Sequence, residues 1–186
     1  MKVIGLAGWS GAGKTTLLAG VIPLLVRRGL SVSTLKHAHH AFDIDRPGKD
    51  SYEHRAAGAT EVLVASGRRW ALMHELRDEA EPGLAELLRH LSPVDLVIVE
   101  GFKREAHPKV EVHRAANGKP WLHAELAGVV GVIADDDPSG WAGRRAHLDD
   151  HAAAANLLTE LALPLGDVLH RLGTRAALAQ PPRKAG

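Results

Sequence analysis

The run Gly8-Trp9-Ser10-Gly11-Ala12-Gly13-Lys14-Thr15-Thr16 constrains this chain more than any other stretch. It satisfies the phosphate-loop pattern G-x-x-x-x-G-K-[ST] without a mismatch, and Thr16 is a spare hydroxyl. Ahead of it, Val3 to Ala7 is an apolar run long enough for a buried strand. Behind it, Leu17, Leu18, Val21, Leu24 and Leu25 recur at helical spacing. Strand, glycine loop and helix thus follow in the order that phosphate binding needs. Gly8, Gly11 and Gly13 let successive N–H groups point inward, with Trp9, Ser10 and Ala12 between them. The positive end of the following helix adds to that field. Lys14 would reach the β- and γ-phosphates of a nucleotide, and the Thr15 hydroxyl would sit on Mg²⁺. An accidental glycine turn is the plain alternative, and both flanks argue against it.

The chain of 186 residues suits one domain, expected over residues 1–178, with a disordered tail at 179–186. A formal net charge of +1 gives no case for a nucleic-acid surface. The absence of cysteine excludes disulfides, thiolate metal sites and thiol nucleophiles. No signal peptide is visible and no apolar run reaches the length of a membrane span, so a cytoplasmic protein is expected.

Periodicity predicts helices over 14–28, from Asp50 to Gly58, over 81–91, over 151–161 and from Gly166 to Leu172. Asp50-Ser51-Tyr52-Glu53 reads as a capping box with Asp50 at the N-cap. Strands are predicted at 2–7, 31–35, 96–99 and 129–134, the last two continuous and apolar as in central parallel strands. Runs 60–65 and 69–73 form one expected hairpin; 109–113 and 120–123 around Asn117-Gly118 form a second. The sum is a three-layer α/β/α sandwich with a mostly parallel sheet and added antiparallel hairpins. The first hairpin is more apolar than a half-exposed ribbon requires, so it covers either its own core or a second copy of the chain.

Glu100 ends the 96–99 strand at the edge that also carries the glycine loop. It would hold the Mg²⁺ water shell or orient a water, and it is preferred over Asp95 at the other end of that strand. A solvated carboxylate is the plain alternative. Asp43, Asp45, Lys49 and Asp50 fall on the loop after the second strand and could sense a nucleotide. Lys49 could equally be an exposed lysine, and Asp50 a helix cap. His37, His39 and His40 could offer two metal ligands, but a polar loop near phosphates is preferred because no cysteine completes a soft site. Base choice is weakly marked: N-K-x-D is absent, and Asp135, Asp136 and Asp137 end what reads as the last strand. A carboxylate there could accept from guanine N1 and N2, or serve a turn. No water-positioning glutamine or arginine finger is assured; Arg55, Arg68 and Arg104 are unsupported candidates.

These segments together resemble the molybdopterin-guanine dinucleotide biosynthesis adapter protein B family. The resemblance rests on the glycine loop, on Lys36-His37-Ala38-His39-His40, and on Phe42-Asp43-Ile44-Asp45-Arg46-Pro47-Gly48-Lys49-Asp50-Ser51. It continues through His54-Arg55-Ala56-Ala57-Gly58-Ala59 and Val99-Glu100-Gly101-Phe102-Lys103, covering most of residues 1–135 in order. It implies a GTP-binding protein with weak GTPase activity that forms a homodimer. It further implies an adapter for the guanylyltransferase that attaches GMP to molybdopterin, with the pterin itself a further candidate ligand. Two other classes compete. A nickel-type metallochaperone GTPase would explain the histidines but lacks cysteine, and a small-molecule kinase would need an arginine-rich lid that is not seen.

Overall fold

In the computed structural model, residues 1–38, 42–138 and 140–179 are described. Two compact units make up the chain, one of Met1–His37 with Leu84–Gly186 and one of Ala38–Gly83.

The first unit opens with β1 (Lys2–Ala7), the glycine loop, α1 (Lys14–Arg27) and β2 (Val32–Lys36). After the inserted second unit come α3 (Leu84–His90), β5 (Leu96–Glu100), β6 (Lys109–His113), β7 (Val129–Ala134) and β8 (Arg144–His147). It closes with α4 (His151–Leu161), β9 (Leu163–Pro164) and α5 (Leu165–Ala179). The inserted unit contains α2 (Asp50–Ala56), β3 (Glu61–Ala65) and β4 (Trp70–His74).

Strands β2, β5, β1, β6, β7 and β8 lie side by side in that order, all parallel, with β9 added antiparallel to β1. Alternation along each strand separates two cores. Ile4, Leu6, Ile98, Val110, Val112 and Ile133 face α1 and α4 through Leu17, Val21, Leu25, Ala154 and Leu158. Val3, Val97 and Val99 face the other way, onto Leu84 and Leu88 of α3 and Val168 and Leu172 of α5. Helix layers on both faces make this unit the expected three-layer sandwich, and covering both faces is why β1 is apolar from Val3 and β5 is apolar up to Val99. In the second unit, β3 and β4 pair antiparallel, with Leu63 opposite Leu72 and Ala65 opposite Trp70.

Several expectations need correction. The second hairpin does not form among the described residues. Lys109–His113 is an inner strand of the parallel sheet, 115–117 is a single 3-10 turn, and 120–123 is not a strand. Strand β7 is not the last, since β8 pairs beyond it. Lys49, not Asp50, is the N-cap of α2, and no side chain caps that helix. Helix α5 continues to Ala179; residues 180–186, expected as tail, lie outside the described residues.

The strand misread as half of a hairpin buries a polar face. His107, Lys109, Glu111 and His113 alternate along it, none more than 5% exposed. The Lys109 ammonium donates to the carbonyls of Glu105 and His107. Glu111 accepts from the amides of Leu122 and His123 and from the His123 ring. The His107 ring lies over Gly5, where a Cβ would come within 2.5 Å of Nε2. Among the described residues neither His107 ring nitrogen meets a hydrogen-bond partner of good geometry. Burial first, and the Lys109 charge second, push its pKa down to about 3. A folded pKa below the unfolded one means that the unfolded chain takes up the extra proton as pH falls. The stability held above about pH 6.5 is therefore lost progressively toward pH 3, by at most about 1.4 kcal/mol per pH unit. Urea unfolding at pH 7 and pH 4.5 should show this slope, and His107→Phe should flatten it. An identical slope in the variant would show that other groups cause it.

Candidate functional site

The glycine loop joins β1 to α1 at the carboxyl edge of the sheet. Gly11 and Gly13 hold φ values of 81° and 90°, a region that side chains other than glycine rarely adopt. Gly13 is the N-cap of α1, no side chain caps the helix, and its first turn carries no acidic residue. The amides that a serine or aspartate would ordinarily occupy are thus left by the protein's side chains for something else. A glycine-rich turn into a helix start of this kind suits an anion.

Lys14 folds back over the loop, donating to the carbonyls of Gly8 and Trp9 at 3.1 Å each. Partial burial lowers its pKa; Glu100 opposes that shift, while Lys103 and Lys36 add to it. Glu100 is brought in by register, since it pairs with Leu6 of β1 on one side and Lys36 of β2 on the other. Its carboxylate is 4.0 Å from the Lys36 ammonium. Asp95 lies at the opposite edge and accepts from the Ser31 amide and hydroxyl at 2.8 and 2.6 Å. Thr15 and Thr16 are exposed on the first turn of α1, and Ala12 is buried beneath the loop. Thr15 and Glu100 offer hard oxygen donors, the kind Mg²⁺ takes.

Residues that sequence reasoning did not single out brace the loop from outside. The Trp9 indole N–H donates to the Pro120 carbonyl at 2.8 Å, and the Lys103 ammonium lies 5.2 Å from the Trp9 ring centre. The Asn117 side-chain amide donates to the Ser10 carbonyl at 2.9 Å. A Cβ on Gly13 would lie 3.2 Å from the Arg114 guanidinium. At the end of β7, Asp135 accepts from the Ala115 amide at 2.8 Å and stands 3.7 Å from Arg114. Trp121 stacks on His113 at 3.7 Å between ring centres. The only signal for this segment was Asn117-Gly118, which does turn the chain, with Gly118 at φ 60°, but into a brace and not a hairpin.

Asp43, Asp45, Lys49 and Arg55 belong to the second unit. There Arg55 bonds Asp43 and Glu75 at 2.8 Å each, with Asp45 at 3.6 Å. Asp43 is held below the usual carboxylate range chiefly by that bond to Arg55. Lys49 is exposed. Among the described residues no group of three or more histidine, aspartate or glutamate side chains gathers as a metal site; His39 and His40 lie outside them. No described helix is long and apolar enough to cross a membrane.

The family model for molybdopterin guanine dinucleotide synthesis protein B matches residues 3–135, a span that includes the glycine loop, Glu100 and Asp135. The chain belongs to this family. It is 49% identical over 120 residues to the molybdopterin-guanine dinucleotide biosynthesis adapter protein of Escherichia coli (strain K12), covering 63% of this chain and 69% of the relative. The Haemophilus influenzae adapter protein is 42% identical over 120 residues, covering 64% and 67%. Among solved structures, molybdopterin-guanine biosynthesis protein B superposes with a TM-score of 0.67 at 27% identity, over 86% of this chain and 97% of that one. A MobB homolog from Bacillus stearothermophilus gives 0.63 at 26% identity, over 91% and 99%. The family match stops at Asp135, ahead of β8, α4 and α5.

Proposed function

We propose that the chain is a cytoplasmic GTP-binding adapter of molybdopterin-guanine dinucleotide synthesis, with weak GTPase activity and Mg²⁺ as the metal. The observation that carries this reading is the uncapped start of α1 behind the glycine loop, ringed by Lys14, Lys36, Lys103 and Arg114. Against these cations stand Glu100 and, beside Arg114, Asp135. That excess of positive charge matches a triphosphate. Backbone amides from Gly8 to Thr16 would hold the phosphates, and Lys14 would leave the Gly8 and Trp9 carbonyls for the outer ones. Thr15 and Glu100 would hold Mg²⁺, which when bound screens phosphate charge. Glu100 also stands where it can orient a water. Asp135 completes the nucleotide site at the end of β7, and Lys49 is proposed as a further nucleotide ligand.

Calorimetric titration with GTP and ATP in Mg²⁺ tests this. A GTP preference is expected, with Glu100→Gln binding normally and turning over more slowly. Tighter ATP binding would redirect the assignment to a kinase. The adapter role predicts more dinucleotide product when the chain and GTP are added to the guanylyltransferase and molybdopterin; an unchanged yield would remove it.

A homodimer belongs to the same proposal. The ribbon of β3 and β4 exposes Leu63, Trp70 and Leu72 on one face, 61%, 67% and 48% open. Cross-strand partners point the same way, so these side chains form one patch that a second copy would cover. Sedimentation should give a dimer for the wild type and a monomer for Leu72→Glu. A variant that stays dimeric would place the interface elsewhere.

A further inference from the structure

We infer that Arg114 contacts the inner phosphates of the bound nucleotide and that Asp135 acts as its positioning residue, not as a reader of the base. The inference rests on the glycine loop holding a nucleotide.

Arg114 leaves the end of β6 next to β1, where Ala7 pairs with Glu111. Its backbone is pinned on both sides. The Arg114 carbonyl accepts from the Asn117 amide at 3.0 Å, and Asn117 in turn reaches the Ser10 carbonyl. Asp135 takes the Ala115 amide with one oxygen and faces Arg114 with the other. The guanidinium is thereby laid against Gly13, with Nη2 and Nε 3.2 and 3.5 Å from where a Cβ would stand. Among the described residues that guanidinium makes an ion pair with Asp135 at 3.7 Å, too long for a hydrogen bond, so its donor fork is not consumed by its holder. An arginine placed beside a helix start with its donors unspent matches non-bridging phosphate oxygens.

The position decides which phosphates. The loop amides around Gly13 cradle the inner phosphates, while Lys14 serves the outer ones. Arg114 therefore supports binding of diphosphate and triphosphate alike and is no finger for hydrolysis. Asp135 has one oxygen committed to Ala115 and the other turned to a cation, so it does not present two oxygens to guanine N1 and N2.

Calorimetry with GDP, GTP and xanthosine triphosphate separates the outcomes. Arg114→Ala should weaken GDP and GTP by a similar factor, about tenfold or more. Arg114→Lys should recover part of the affinity. Asp135→Asn should weaken both nucleotides by about threefold, with no gain for xanthosine triphosphate. Unchanged affinity in Arg114→Ala, in a wild type that binds GTP, overturns the inference and leaves the nucleotide reading standing. A switch of Asp135→Asn toward xanthosine triphosphate overturns it too, by making Asp135 the base reader. A wild type that binds neither GDP nor GTP removes both.

Discussion

Lys14→Ala is expected to weaken GTP binding on the order of a hundredfold, the loss of a charge-assisted contact at a partly dehydrated site. The ammonium is held within the loop by the Gly8 and Trp9 carbonyls, which it exchanges for phosphate oxygens on binding. Its pKa is lowered first by burial, and Lys36 and Lys103 push the same way. An arriving polyanion relieves both effects, and binding strengthens the charge it uses. The variant should fold normally, because Lys14 bonds only to its own loop among the described residues. Thermal melting with and without GTP separates the two effects: the wild type should gain stability on GTP addition and the variant should not. Affinity retained within about threefold would mean that the loop amides alone hold the phosphate.

Glu111→Ala is the second large effect, and it falls on stability. This carboxylate is fully buried and accepts from Leu122 N at 2.6 Å, His123 N at 2.8 Å and His123 Nδ1 at 3.0 Å. Truncation strands two backbone amides and a ring nitrogen, at a cost of about 3–5 kcal/mol. For a chain of this size the melting temperature should drop by about 10 °C. Glu111→Gln keeps an acceptor and should lose about half as much. The same carboxylate anchors the 120–123 segment, whose Pro120 carbonyl takes the Trp9 indole and so reaches the glycine loop. Nucleotide affinity should therefore fall along with stability. A melting point within 2 °C of wild type, on the order of the shift for a single kcal/mol, would mean that water replaces the lost acceptor.

What was legible in the chain depended on whether burial followed hydropathy. The Leu96–Val99 run and the Val129–Ala134 run are apolar on both faces, so their place inside the sheet followed from composition alone. Lys109-Val110-Glu111-Val112-His113 alternates in the manner of a half-exposed ribbon, yet its polar side chains are buried along with its valines, Lys109 satisfied by nearby carbonyls and Glu111 by the 122–123 amides. Periodicity sees the alternation but not that neither face meets water. Arg144 to His147 has no apolar run to announce it, because β8 is an edge strand whose neighbour on one side is solvent. In the site, the glycine loop and its lysine were plain from spacing. Arg114, Asn117 and Lys103 were not, since their relation to the loop comes from β6 and β5 lying on either side of β1.

Trp9 stands inside the glycine loop with its indole N–H on a backbone carbonyl and a lysine ammonium against its ring. The loop therefore carries its own chromophore. Indole emission responds to both of those contacts, and each depends on a neighbour that a ligand in the loop would disturb. Three other tryptophans contribute to the signal, Trp70, Trp121 and Trp141, and a Trp9→Phe difference spectrum removes them. Occupancy of the loop can then be followed on the millisecond scale in unlabelled protein with unlabelled nucleotide, by light alone.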